Sequence, residues 1–288
     1  MSDSGRTWSI AGSGGESILG NTHAPGAGAR GVAIIVHGFL GYKDYGMVPA
    51  IATAFADAGW IAHRINLSHS GMTDDIQTFA RPDLFERDTW NRQRADVQAV
   101  IAAIGAAQIA GAGLPLVLFG HSRGGVTVLR AAAQRFEEGL SPLPAGVITV
   151  AAPDTCCSLD GEARAAMLER GYHEVVSNRT GQTLRIGGAW LEEQQADPEA
   201  HDVLRAAAKI ACPLLVAHGA EDPTVPPEAA RAIADAAPDG RLLLIDGGDH
   251  VMNTPNPFDP AAEPGPQLRA LLDHCRAFLA AVDSAQNA

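Results

Sequence analysis

The 288-residue chain is 46% apolar and 19% charged with a mean hydropathy near zero, which excludes a disordered or fibrous protein and suits one globular α/β domain. Acidic residues outnumber basic ones by 33 to 21, a formal charge of −12, so neither nucleic acid nor an anionic membrane is an expected partner. Four cysteines, including the adjacent pair Cys156 and Cys157, make no disulfide framework in a chain this long and show no metal-ligand spacing; they read as small buried hydrophobes.

The opening, Met1 to Ile10, has no basic stretch leading into an apolar one, and no apolar run is long enough to span a bilayer, so a cytoplasmic location is expected. Residues to about 30 are rich in Gly and Ser and show no regular element. Two textures then alternate. Nearly continuous apolar runs at 31–37, 60–67, 116–119, 146–151, 213–218 and 241–245 read as strands buried on both faces. Ala-rich segments at about 46–58, 90–110, 124–137, 227–237 and 266–281 carry helical spacing. The alternation predicts an α/β fold, a mostly parallel central sheet flanked by helices.

Two connections are longer than a crossover needs. The sixty residues between the strands near 146–151 and 213–218 include a predicted helix at 161–170, a turn at Gly187-Gly188 and a polar helical stretch from Trp190 to Lys209. We read 154–209 as a small cap inserted into a single domain spanning 1–288. The second connection, from Ser68 to Thr89, reads as a wall of the site, because long connections at strand ends commonly build one.

The pentapeptide Gly120-His-Ser-Arg-Gly124 stands where an apolar strand ends and an Ala-rich helix begins. A serine on so sharp a turn is lifted out of the sheet, with glycines at −2 and +2 relieving crowding and a helix N-terminus aimed at it. Ser122 is therefore the expected nucleophile. A hydroxyl needs a base, and His250, on a Gly-loosened loop after the last strand, is favoured over the other histidines. His121 is expected to pack beneath the turn, His37 and His218 to shape loops, and His69 to border the pocket. Asp222 ends the strand preceding the one that feeds His250 and is the expected carboxylate; Asp154 is the alternative, and Asp249 reads as a loop-shaping residue. Backbone N–H groups of Arg123 and of Phe39, in His37-Gly-Phe-Leu-Gly41, are the expected oxyanion donors.

These segments, with Ala217-His-Gly-Ala-Glu-Asp222 and Gly248-Asp-His250, stand in the order found in α/β-hydrolases, which the chain resembles over about residues 30–282. The His-Gly-Phe loop, the sixty-residue insertion and Ile186-Gly-Gly-Ala-Trp190 are similar to cinnamoyl/feruloyl esterase-like and serine-aminopeptidase-like carboxylesterases. The resemblance implies a serine hydrolase that cleaves small carboxylic esters without a cofactor or metal. Aminopeptidase or thioester activity on the same residues, or a non-catalytic ligand receptor, are the alternatives. An aminopeptidase would need acids such as Asp160, Glu162, Glu192 or Glu193 at the pocket mouth. The chain departs from many relatives at Ser68-His-Ser-Gly-Met72, where a Gly-His-Gly-x-Ser turn is common. Leu40, Phe85, Trp90 and Trp190 are the expected pocket-lining residues, and nothing in the sequence fixes an oligomeric state.

Overall fold

A computed structural model describes residues 5–259 and 262–286. In chain order the elements are β1 (Arg6–Ala11), β2 (Ser17–His23), β3 (Gly31–Val36), α1 (Val48–Asp57), β4 (Trp60–Asn66), α2 (Pro82–Glu86), α3 (Trp90–Gly105), β5 (Leu116–His121), α4 (Arg123–Glu138) and β6 (Pro144–Val150). There follow α5 (Gly161–Arg170), β7 (Tyr172–Val176), β8 (Thr183–Gly187), α6 (Ala189–Ala196), α7 (Val203–Ala208), β9 (Leu214–Gly219), α8 (Pro227–Ala236), β10 (Gly240–Ile245) and α9 (Pro266–Gln286). Among the described residues, eight strands form one sheet in the order β1-β2-β4-β3-β5-β6-β9-β10. From β4 to β10 neighbours run parallel, and β1 and β2 add an antiparallel edge.

The continuous apolar strands follow from burial on both faces. On β3, Val32, Ile34 and Val36 join one core with α3, α4, α7 and α8, while Ala33 and Ile35 join a second core with α1 and α9. Side chains alternate across a strand, so a strand covered on both sides must be apolar at every position. All of β3 is buried.

Three expectations need correction. The N-terminal segment is not structureless: β1 and β2 pair over Arg6↔Thr22 to Ala11↔Ser17. Half-exposed edge strands carry polar residues at alternate positions, which masked them among the glycines. Trp8 packs flat on Gly20, where a Cβ would sit 2.1 Å from the indole. The second correction lies between β6 and β9, where β7 and β8 form an antiparallel pair that the sequence reading lacks. Third, the helical stretch from Trp190 divides into α6 and α7 across Asp197-Pro198, because proline cannot continue a helix. The segment between β6 and β9 thus comprises α5, the β7–β8 hairpin, α6 and α7, and the Ser68–Thr89 connection holds the short α2.

Helix ends follow local chemistry. Asp160 accepts a hydrogen bond from the N–H of Ala163 at the start of α5, and Gly171 ends it at φ 80°. Thr89 caps α3 through the N–H of Arg92. The loops that leave β3, β5, β9 and β10 share the carboxyl edge of the sheet, where open parallel sheets build their sites.

Candidate active site

Ser122 links β5 to α4 at φ 52° and ψ −122°, a conformation that side chains other than glycine rarely adopt. The turn closes only because its neighbours lack Cβ atoms. A Cβ on Gly120 would lie 2.2 Å from the carbonyl oxygen of Gly124, and one on Gly124 2.4 Å from that of His37. Tight packing of strand, turn and helix pushes the Ser122 hydroxyl outward.

His250 Nε2 lies 3.0 Å from Ser122 Oγ, and His250 Nδ1 lies 2.8 Å from Asp222 Oδ2. Asp222 is buried, and its Oδ1 accepts the N–H groups of Thr224 at 2.8 Å and Val225 at 3.0 Å. His218, fully buried, brings Nε2 to 3.1 Å from Asp222 Oδ2 and 2.9 Å from the Val225 carbonyl. Burial alone would raise the Asp222 carboxyl, but the bonds from His218, His250, Val225 and Thr224 outweigh it and hold the group well below the usual carboxylate range. An ionised carboxylate at Nδ1 fixes the imidazole with its Nδ1 protonated and its Nε2 lone pair facing the hydroxyl.

Beneath this series, the His121 Nε2–H donates to the His250 carbonyl at 2.8 Å, and burial lowers His121 to about 3, so it is a neutral support. His37 is likewise neutral: burial lowers it to about 4, and its Nδ1–H donates to the Gly38 carbonyl at 2.8 Å. The Gly41 N–H bonds the Gly38 carbonyl at 3.1 Å with Leu40 at φ 56°, closing a turn that leaves the Phe39 N–H outside its own hydrogen bond. Arg123 is the first residue of α4, so its N–H has no intrahelical partner. The Arg123 N–H follows Ser122 directly in the chain, and Gly38, next to Phe39, packs against Ser122.

Ser122 and His250 open to a cleft of about 220 Å³. Leu40, Tyr45 and Val48 line one side; Val176, Asn178 and Arg179, from the β7–β8 hairpin, line the other. Arg179 is the permanently charged residue of this lining, which contains no Asp or Glu. Its Nη2 lies 3.4 Å from Met72 Sδ, its Nη1 donates to the Ile76 carbonyl, and its guanidinium stands 4.8 Å from the Tyr42 ring and 5.1 Å from the Phe79 ring. A larger apolar hollow of about 610 Å³, among Leu143, Pro213 and Phe278, lies at the opposite end of the strands and brings no hydroxyl–histidine pair together.

Of the expected pocket residues, Leu40 lines the cleft, whereas Phe85, Trp90 and Trp190 are buried and absent from its lining; Phe85 borders a small adjoining hollow with Gly38, Phe39 and Leu40. The two tryptophans surround the Arg123 guanidinium, at 4.5 and 5.4 Å from their ring centroids, and Phe85 stands 5.6 Å from Phe39. Large aromatic rings gain most from full burial, which drew them under the loops. His69 is also displaced: it is 1% exposed and joins Ser13, Ser68 and Arg92 instead of the cleft. Asp154 is exposed and far from a bonding role with His250, while Asp249 accepts the N–H groups of Val251 and Asn253, shaping the loop. Asp160 caps α5, Glu162 and Glu192 are exposed, and Glu193 bonds Asn91 and His201; none lines the cleft. The hairpin residues Asn178 and Arg179 carry no sequence signal, since only docking of the hairpin brings them here.

Burial pushes the thiols of Cys156, Cys212 and Cys275 up to about 12, so they are inert. Among the described residues no helix is long and apolar enough to cross a membrane, and no group of three or more His, Cys, Asp or Glu is arranged to hold a metal ion.

Residues 33–263 match the family described as the alpha/beta hydrolase family. No curated protein matches the chain. Among solved structures, Est1E from Butyrivibrio proteoclasticus is 18% identical, with 96% of this chain and 99% of that one covered and a TM-score of 0.68. A putative hydrolase from Agrobacterium vitis S4 is 22% identical, with 96% and 98% covered and a TM-score of 0.69. The esterase domain of a Rhodothermus marinus protein is 18% identical, with 95% and 96% covered and a TM-score of 0.63. At these identities the likeness is one of fold.

Proposed function

We propose that this chain, which belongs to the alpha/beta hydrolase family, hydrolyses small carboxylic esters through an acyl-enzyme on Ser122. The observation that carries the reading is the bonded series Asp222–His250–Ser122, at 2.8 and 3.0 Å, opening onto a cleft of about 220 Å³. Ser122 Oγ attacks the ester carbonyl as His250 Nε2 takes its proton. The oxyanion accepts the N–H groups of Phe39 and Arg123. The intermediate collapses, the alcohol leaves with the proton from His250, and Ser122 keeps the acyl group. A water then gives its proton to His250 as its oxygen attacks the acyl carbon, and collapse returns the proton to Ser122 and frees the acid.

Ester cleavage is favoured over aminopeptidase activity because the cleft lining carries Arg179 and no acid, the wrong charge for a substrate ammonium. Thioester cleavage uses the same steps. One of the solved Est1E structures has ferulic acid bound, so hydroxycinnamate esters belong in the substrate panel. The site is expected to need no cofactor, since every proton moves between groups of this chain, substrate and water.

The test is covalent labelling by a fluorophosphonate together with turnover of p-nitrophenyl acetate, a methyl hydroxycinnamate, an acyl thioester and an aminoacyl amide. Ester turnover and labelling, both abolished in Ser122→Ala, are expected. Labelling without turnover of any substrate would favour a receptor, and labelling retained by Ser122→Ala would sink the assignment.

A further inference from the structure

Phe39 supplies a proposed oxyanion donor from a loop, and 37% of the residue is exposed, so neither a helix nor a strand fixes it. Its ring is seated instead against Phe85, at 5.6 Å between centroids, and against the guanidinium of Arg123, 5.2 Å from the ring centroid. The same guanidinium lies 4.5 Å from the Trp90 ring at the start of α3 and 5.4 Å from the Trp190 ring on α6. Asp88 approaches it to 3.8 Å. The cation is therefore surrounded by rings from the oxyanion loop, from the start of α3 and from the segment inserted between β6 and β9, with a carboxylate from the wall.

This arrangement is an expensive way to fill space. Arg123 is 9% exposed, and its Nε and Nη2 have no hydrogen-bond partner. A buried cation lacking those bonds pays a desolvation penalty that Leu or Met would avoid, so packing alone does not account for it. Ring faces and one carboxylate hold it, through cation–π and charge attraction. Its surroundings are themselves braced. Trp90 Nε1–H donates to the Cys156 carbonyl at 3.0 Å, and Asp88 accepts Gln93 Nε2–H. Thr127 Oγ1 lies 2.6 Å from Gln93 Oε1 and 3.1 Å from the Arg123 carbonyl, so the chain of contacts returns to the residue it began from.

We propose that the Arg123 guanidinium, clamped by Trp90, Trp190 and Asp88, is a positioning device that seats the Phe39 ring and thereby holds the Phe39 N–H on the oxyanion. The side chains of the two donor residues grip one another, and Trp190 couples that grip to the inserted segment. This inference rests on the acyl-enzyme reading. The Arg123 side chain and Trp190 lie outside the lining of the cleft onto which Ser122 and His250 open.

Two substitutions and their combination test it, with p-nitrophenyl acetate as substrate. Arg123→Met keeps the backbone N–H and the apolar stem but removes the cation. Trp190→Ala removes one ring. Each is expected to lower kcat about tenfold to thirtyfold, less than the ~100-fold or more for complete loss of an oxyanion donor, with KM within about threefold. The double variant is expected to lose no more than the worse single one, because both break the same clamp. Trp190→Phe, which restores a ring, is expected to stay within about threefold of the parent. A trifluoromethyl ketone, which binds as an oxyanion on Ser122, is expected to weaken in proportion to kcat/KM. Losses that multiply in the double variant, that appear in KM, or that are equal for Trp190→Phe and Trp190→Ala would overturn the proposal while leaving the hydrolase reading intact. Should Arg123→Met not fold, the Trp190 pair decides. Absence of labelling and turnover in the parent protein would remove both readings together.

Discussion

Replacing Asp222 by Asn probes the proton path with almost no change of shape. In the parent, Oδ1 accepts the N–H groups of Thr224 and Val225, and Oδ2 faces His250 Nδ1 at 2.8 Å and His218 Nε2 at 3.1 Å. An amide has one oxygen, and two fixed backbone donors claim it, so the NH2 group turns toward the histidines. His250 Nδ1 must then accept, which moves the imidazole proton to Nε2, opposite Ser122 Oγ at 3.0 Å. A protonated Nε2 cannot take the serine proton. The expected loss in kcat is about 10⁴-fold, the size found for such a swap in a serine protease, equivalent to about 5.5 kcal/mol at about 1.4 kcal/mol per tenfold. Initial rates of p-nitrophenyl acetate hydrolysis would measure it, with circular dichroism to verify the fold. Asp154→Asn, at an exposed position, serves as the control and should leave the rate unchanged. Turnover in Asp222→Asn within tenfold of the parent would refute the tautomer argument, and a loss in Asp154→Asn would move the carboxylate role there.

Gly124→Ala places a Cβ 2.4 and 2.5 Å from the carbonyl oxygens of His37 and Val36, backbone that cannot step aside; about 3 kcal/mol of stability should go, seen as a lower urea midpoint, with esterase activity falling alongside. An unchanged midpoint would mean the turn is looser than its geometry. Stability should also depend on pH. Burial lowers His37, His63 and His69 to about 4 and His121 to about 3, so each is neutral when folded, and its contribution is present above the unfolded value near 6.5 and lost as pH falls toward 4. Asp88, raised by burial to about 7 against the pull of Arg123, and Asp96, also raised by burial, run the other way. Four histidines against two carboxyls make the net expectation a loss of stability in urea unfolding as pH falls from about 6.5 to about 5.5, and stability that rises on that descent would contradict it.

The α/β fold was readable because its signals are local. Strands buried on both faces must be apolar throughout, as Val32 to Val36 and Leu116 to Phe119 are, and the helices between them carry a 3.6-residue period. Ser122 was readable for a related reason: the turn that holds it needs glycines at two fixed offsets, so the backbone's requirement is written within five residues. The edge hairpin β1–β2 and the pair β7–β8 were hidden, since half-exposed strands rest on pairing partners more than on their own composition. Tertiary structure alone decided the surroundings of the hydroxyl. Arg179 reaches the cleft from a hairpin tip, and Trp90 and Trp190 close on Arg123 instead of on the cleft. Residue type sets what each group could do, whereas its neighbours from distant parts of the chain are chosen by how helices and loops pack, and no local pattern encodes that choice.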